Sequence, residues 1–177
     1  MVSPELYRIL FNTKEQVRES FYYDWGICDI QDEAWEIFND WNSRFKYIQE
    51  QILERYRIHN GRIPTICWGF AFQTKRVLNK YGVKSELIFG EGHAWTCFWY
   101  NGQYYEIDFT PSPNDYSYTG GSERIRYGEY IKIYKKMNDY YSPFYRGGGD
   151  AIYEKDYPYY KQAFEYVYTK LLDERGY

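Results

Sequence analysis

No basic field runs through this sequence: 22 Lys and Arg stand against 25 Asp and Glu, for a net charge of −3 and a pI near 5.5. That balance would steer the chain neither to nucleic acid nor to an anionic membrane surface. No apolar run approaches the roughly 20 residues of a membrane span. Met1 to Leu10 carries Glu5 and Arg8 and has no apolar signal core, so a cytoplasmic chain is expected. Cysteine is scarce and odd in number, three in 177 residues. Cys28, Cys67 and Cys97 have the spacing of neither a disulfide framework nor a paired zinc knuckle. Reduced thiols are expected, with no metal ligand set and no cofactor. Internal repeats and Pro/Gly-rich linkers are also missing, and the length suits one domain with a substantial core.

What the chain has in excess is aromatic residues: 24 Tyr, 11 Phe and 6 Trp. Such a set fits a core built from rings, with phenol hydroxyls reaching the surface. It also fits an adhesive face for peptide, glycan or a protein partner.

Ser3-Pro4-Glu5 is a helix start, serine as cap and proline at the first helical position, and a short helix is expected to follow. Thr13 with Gln16 makes a capping box for a second helix. Tyr22 to Asp29 reads as a loop. From Asp32 to Ile58, apolar residues recur every three or four positions, the pattern of one long amphipathic helix ended by Asn60-Gly61 and Pro64. Cys67 to Tyr81 has helical spacing and stops at Gly82. Val83 to Phe89, His93 to Tyr100 and Tyr104 to Thr110 read as antiparallel strands, the last two joined by Asn101-Gly102. Beyond Thr110 the chain reads as a loop, a strand within Arg124 to Tyr134, a glycine-rich surface segment, and a closing helix over Asp156 to Glu174. In that helix Tyr160, Ala163, Phe164, Val167 and Leu171 share a side.

Chemistry concentrates between Ile63 and Pro113. A cysteine opening a helix sits near about half a positive charge from the macrodipole, a setting that suits an anionic sulfur. A histidine alongside can take the thiol proton, and a third group must orient that histidine. If Asn101 and Gly102 are the two turn residues, cross-strand partners follow from Tyr100 opposite Gln103, so Trp95 faces Asp108 and His93 faces Thr110. His93 and Asp108 then share a face on a diagonal of roughly 7 Å, within reach of a side-chain hydrogen bond. Glu106 is one repeat further away. Cys97 shares that face but lies roughly 13 Å along the strand from His93, too far to act as its nucleophile. Cys67 arrives on a separate element and has no such restriction. Against this stands a purely structural reading: a buried packing cysteine and a histidine-carboxylate pair that only stabilises the sheet. His59 sits at a helix end, where a cation meets the dipole favourably, and Cys28 has no base near it in sequence.

The order Cys67-Trp68-x-Phe70-Ala71, Tyr81-Gly82-Val83, Gly92-His93-Ala94-Trp95 and Tyr105-Glu106-Ile107-Asp108-Phe109-Thr110-Pro111 resembles the core of the transglutaminase-like superfamily. The resemblance implies an α+β, papain-like fold: N-terminal helices, with the nucleophile helix packed on an antiparallel sheet. It implies Cys67, His93 and Asp108 as a triad acting on amides through a thioester. The expected organisation is a single transglutaminase-like domain over 1–177, with a helical cover over 1–60, a catalytic core over 63–113, and loop, strand and C-terminal helix over 114–177. The chain departs from the family where Pro64-Thr65-Ile66 stand in place of the glycine and glutamine often found before the cysteine. It also shows no calcium loop or flanking β-domain of the kind large animal crosslinking enzymes carry, so a small hydrolase is the closer match.

Three functions follow as expectations. The first is a peptidase, amidase or deamidase acting on a peptide or protein amide. The second keeps the triad and transfers the acyl group to a primary amine. The third is a non-catalytic binding module using tyrosine-rich loops. An oxyanion hole needs the Cys67 N–H and one further donor. Trp68, Trp95, Trp41 and Asn60 are candidates for substrate or oxyanion contacts, and Gln49 lies on the same upstream element.

Overall fold

In the computed structural model, which describes residues 2–58, 61–90, 93–111, 132–134 and 152–177, the architecture is set by one tight turn. Asn101 and Gly102 take positive φ values of 50° and 75°, the geometry that matches a two-residue turn to the twist of its strands. Around it, β4 (His93–Tyr100) and β5 (Gln103–Ile107) pair antiparallel with Tyr100 opposite Gln103 and Thr96 opposite Ile107. This is the register expected from the turn. Strands β3 (Lys84–Gly90), β6 (Lys132–Tyr134) and β7 (Ile152–Tyr153) complete an antiparallel sheet in the order β6-β5-β4-β3-β7. The fold is α+β, helices with an antiparallel sheet.

Helix α4 (Cys67–Lys80) lies against this sheet, where Thr96 Oγ1 donates to the Ala71 carbonyl at 2.9 Å. Every residue from Cys67 to Thr74 is buried, so this helix is enclosed on all sides. Gly82, at φ 75°, turns the chain out of α4, and β3 runs back along it. The N-terminus of α4 therefore lies at the end of the sheet where β3 stops, β4 begins and β5 runs out.

The helical cover differs from the sequence expectation in three places. Helix α1 (Pro4–Ser20) is continuous, capped by Ser3 through the Leu6 N–H. Thr13 caps nothing because its hydroxyl donates back to the Ile9 carbonyl within the helix, at 2.7 Å. The expected loop after Phe21 is instead a short strand β1 (Phe21–Tyr23), parallel to β2 (Ile63–Thr65), followed by helix α2 (Gly26–Ile37). Asp24 starts α2 by accepting the Gly26 N–H, and Arg55 pairs with the same carboxylate at 2.9 Å. The long helix expected from Asp32 to Ile58 is two helices, because the chain breaks between Ile37 and Trp41. Asp40 restarts it as α3 (Trp41–Ile58) by accepting the Ser43 N–H at 2.8 Å.

At the C-terminal end, Glu154–Asp156 forms a 3₁₀ turn. Helix α5 (Pro158–Tyr160) passes through a π turn at Lys161–Glu165 into α6 (Tyr166–Glu174). Tyr160, Ala163, Phe164, Val167 and Leu171 are all buried, as their spacing indicates. One apolar cluster joins residues of α1 to α4, the inner sheet face and this C-terminal segment. A smaller one, Ile88, Trp95, Cys97 and Tyr104, lies on the opposite sheet face. Most of the expected loop and strand between Ser112 and Asp150 falls outside the described residues.

Candidate active site

Cys67 is the first residue of α4, after Ile66 in an extended conformation. At the first positions of a helix the backbone N–H groups have no intrahelical acceptor, so the Cys67 N–H points out of the helix unpaired by it. Thr65 holds this turn: its Oγ1 accepts the Gly69 N–H at 3.1 Å and also meets the Tyr168 hydroxyl of α6. A methyl group at position 69 would overlap Thr65 Oγ1, so glycine lets the threonine approach. This clamp was not read from the sequence, although a threonine four residues before a helical glycine is a readable signal for it.

His93 opens β4 and Asp108 directly follows β5, which brings both to the sheet end where α4 begins. His93 Nε2 lies 2.6 Å from Asp108 Oδ2, and Asp108 Oδ1 accepts the Thr110 N–H at 2.9 Å. Cys67 lies close enough to the same imidazole to help raise its pKa. Nε2 faces the carboxylate, so Nδ1 is the ring nitrogen turned away from it. Burial pulls the imidazole pKa down, but the Asp108 charge and hydrogen bond, with the Cys67 contact, push it up to about 10. Burial also raises the Asp108 carboxyl, yet the His93 charge, the His93 hydrogen bond and the Thr110 N–H hold it below its ordinary value. Both directions describe an imidazolium paired with a carboxylate. Cys67 is 6% exposed and His93 7%, so the site is enclosed but not sealed.

The four weaker candidates separate. Trp95 stacks on the His93 ring with centroids 5.7 Å apart and planes at 20°, and its indole N–H donates to Glu106 Oε1 at 3.0 Å. That donor is committed to a carboxylate, so Trp95 braces the histidine ring instead of offering an oxyanion contact. Trp68 packs edge-on against Phe89, Tyr157, Tyr159, Tyr160 and Phe164, the last at 4.5 Å. Its ring is core. Trp41 is 53% exposed and touches Tyr159, which in turn touches Trp68. Asn60 and His59 lie outside the described residues. Gln49 ties α3 to the C-terminal segment by donating to the Gln162 carbonyl at 2.9 Å.

No family model and no curated protein matches this chain. Among solved structures, one described as the crystal structure of a TGase is similar to it at a TM-score of 0.29 and 16% identity. That similarity covers 68% of this chain and 37% of the other, so the chain spans well under half of that protein's length.

Proposed function

We propose that this chain is a thiol-dependent amide hydrolase of transglutaminase-like, papain-like design, a peptidase, amidase or deamidase. The observation that carries the reading is the His93 ring, bound through Nε2 to Asp108 at 2.6 Å, with Cys67 near enough to bear on its pKa. In the proposed reaction the Cys67 sulfur, its proton held by His93, attacks the amide carbonyl carbon. The carbonyl π pair moves to oxygen, which the Cys67 N–H faces at the helix start. Collapse breaks the C–N bond, His93 gives its proton to the leaving amine, and a thioester remains. Water, deprotonated by the now neutral imidazole, attacks that thioester and releases the acid and the thiol. Asp108 holds the ring in orientation and stabilises its charged form throughout.

Acyl transfer to a primary amine is the second reading. The low exposure of Cys67 and His93 favours it, because a thioester shielded from water survives to meet an amine.

Mass spectrometry after brief iodoacetamide treatment near neutral pH tests the activated thiol. Cys67 is expected to label well ahead of Cys97, and His93→Ala to slow it. Labelling at the rate of a free thiol, indifferent to His93→Ala, would overturn the reading. Turnover of a peptide amide in the presence of a labelled primary amine then separates hydrolysis from transfer.

A further inference from the structure

Where α2 ends and α3 begins, two exposed indoles flank a fixed cation. Trp35 and Trp41 are 40% and 53% exposed, and their rings meet edge to face with centroids 5.3 Å apart. The Arg44 guanidinium lies 4.6 Å from the Trp35 ring centre and 5.5 Å from that of Trp41. Its Nε donates to the Phe38 carbonyl at 2.9 Å. Among the described residues its outer nitrogens have no hydrogen-bond or ion-pair partner. A planar guanidinium whose rotamer is already set by a carbonyl and two rings keeps its outer N–H groups for a carboxylate, and loses little entropy on binding one.

A groove of about 490 Å³ runs beside Phe45 between α3 and the C-terminal segment, and Lys46 and Lys161 line it without any carboxylate. The nearby acids are engaged elsewhere. Asp40 accepts the Ser43 N–H as helix cap, and its carboxyl is held low by that bond with a smaller contribution from the Arg44 charge. Glu50 lies 3.9 Å from Lys46, and Glu33 accepts the Tyr47 hydroxyl. The Tyr159 ring touches both Trp41, at 6.0 Å, and Trp68, at 5.7 Å, the residue after Cys67.

We infer that Trp35, Trp41 and Arg44 form a specificity subsite that receives an acidic side chain of a peptide substrate. The indoles give the neighbouring residue a flat apolar platform, and Arg44 supplies the bidentate contact. This inference rests on Cys67 being the nucleophile, but its test does not depend on turnover.

Two fluorogenic peptide series, carrying glutamate or glutamine at successive positions on either side of the cleaved bond, are compared on the wild type, Arg44→Ala, Arg44→Lys and Trp41→Ala. The wild type is expected to prefer glutamate at one position by tenfold or more. Arg44→Ala should erase that preference through KM, with kcat, the glutamine peptide and iodoacetamide labelling of Cys67 unchanged. Arg44→Lys should recover only part of it. Equal loss on both series, or no preference in the wild type, overturns the subsite. If no peptide turns over, calorimetric binding of the same glutamate and glutamine peptides to Cys67→Ala gives the answer directly. Glutamate-selective binding lost in Arg44→Ala upholds the subsite even where hydrolysis fails, whereas binding of a neutral oligosaccharide in place of the acidic peptide overturns it.

Discussion

Cys67 and Cys97 each have a carboxylate and aromatic rings nearby and are both almost wholly buried. Cys97 is fully buried in the small cluster on the outer sheet face. Burial, foremost, and the nearby Glu86 and Glu106 push its thiol up to about 12 against a hydrogen bond to Tyr104. Tyr104 is itself pushed up by burial and by its neighbours Cys97 and Glu106. The Tyr104 and Glu86 backbone hydrogen bonds that favour the anion are outweighed by burial and the two carboxylates. Cys67 opens a helix, and the nearby His93 imidazole is pushed up to about 10. The proposed nucleophile thus has a base and the positive end of a helix near it, which Cys97, among acids and rings, lacks. Four residues of strand separate His93 from Cys97, and only the element that delivers Cys67 closes that gap.

The largest effect is expected when the third group loses its charge. Asp108→Asn leaves a side chain of the same shape that cannot balance an imidazolium. Turnover is expected to fall by on the order of a hundredfold or more in steady-state kinetics, together with Cys67 alkylation. The same variant tests the ion pair through stability. His93 is raised when folded, so its contribution is full below the unfolded imidazole pKa of about 6.5 and is lost as pH rises toward about 10. Asp108 is lowered, so its contribution is present above about 3.9 and lost as pH falls through its folded value. The melting-temperature gap between wild type and Asp108→Asn should therefore be widest near pH 5 to 6 and shrink between pH 7 and 10. A gap that does not change with pH would mean the pair is not ionised.

A smaller effect is expected from Gly69→Ala. The added methyl meets Thr65 Oγ1, so the Thr65 clamp on the α4 start must shift, at a cost of about 1–3 kcal/mol in chemical denaturation. The Cys97 region should respond least. Cys97→Ala removes a buried thiol from a cluster with no base, and is expected to cost about 1 kcal/mol and leave Cys67 labelling unchanged. A slower Cys67 in that variant would mean the two regions are coupled.

How much was legible in advance follows from what is local. The β4–β5 register could be derived because Asn101 and Gly102 demand a two-residue turn, and alternation then places His93 beside Asp108. The break between α2 and α3 was hidden because Trp35, Phe38, Trp41 and Phe45 keep helical spacing across it. Asp40 with Ser43 three residues on is the signal that gives the restart away. Helix α2 could not be foreseen from Tyr22 to Asp29, since Arg55, far along the chain, secures the Asp24 turn that begins it. The pairing of β1 with β2 is likewise between segments some 40 residues apart. The Arg44 clamp was also invisible, because a guanidinium between indoles depends on how α2 and α3 cross.

The sequence alone determined the turn at Asn101-Gly102, the helix that begins at Cys67 and the face shared by His93 and Asp108, because backbone dihedrals and side-chain alternation are short-range properties. Only the tertiary structure decided that the His93 ring bonds Asp108, that Trp95 braces it and that Tyr168 secures the start of the helix. Those contacts join segments whose relative positions are set by burial of one aromatic core, and burial depends on the whole chain at once.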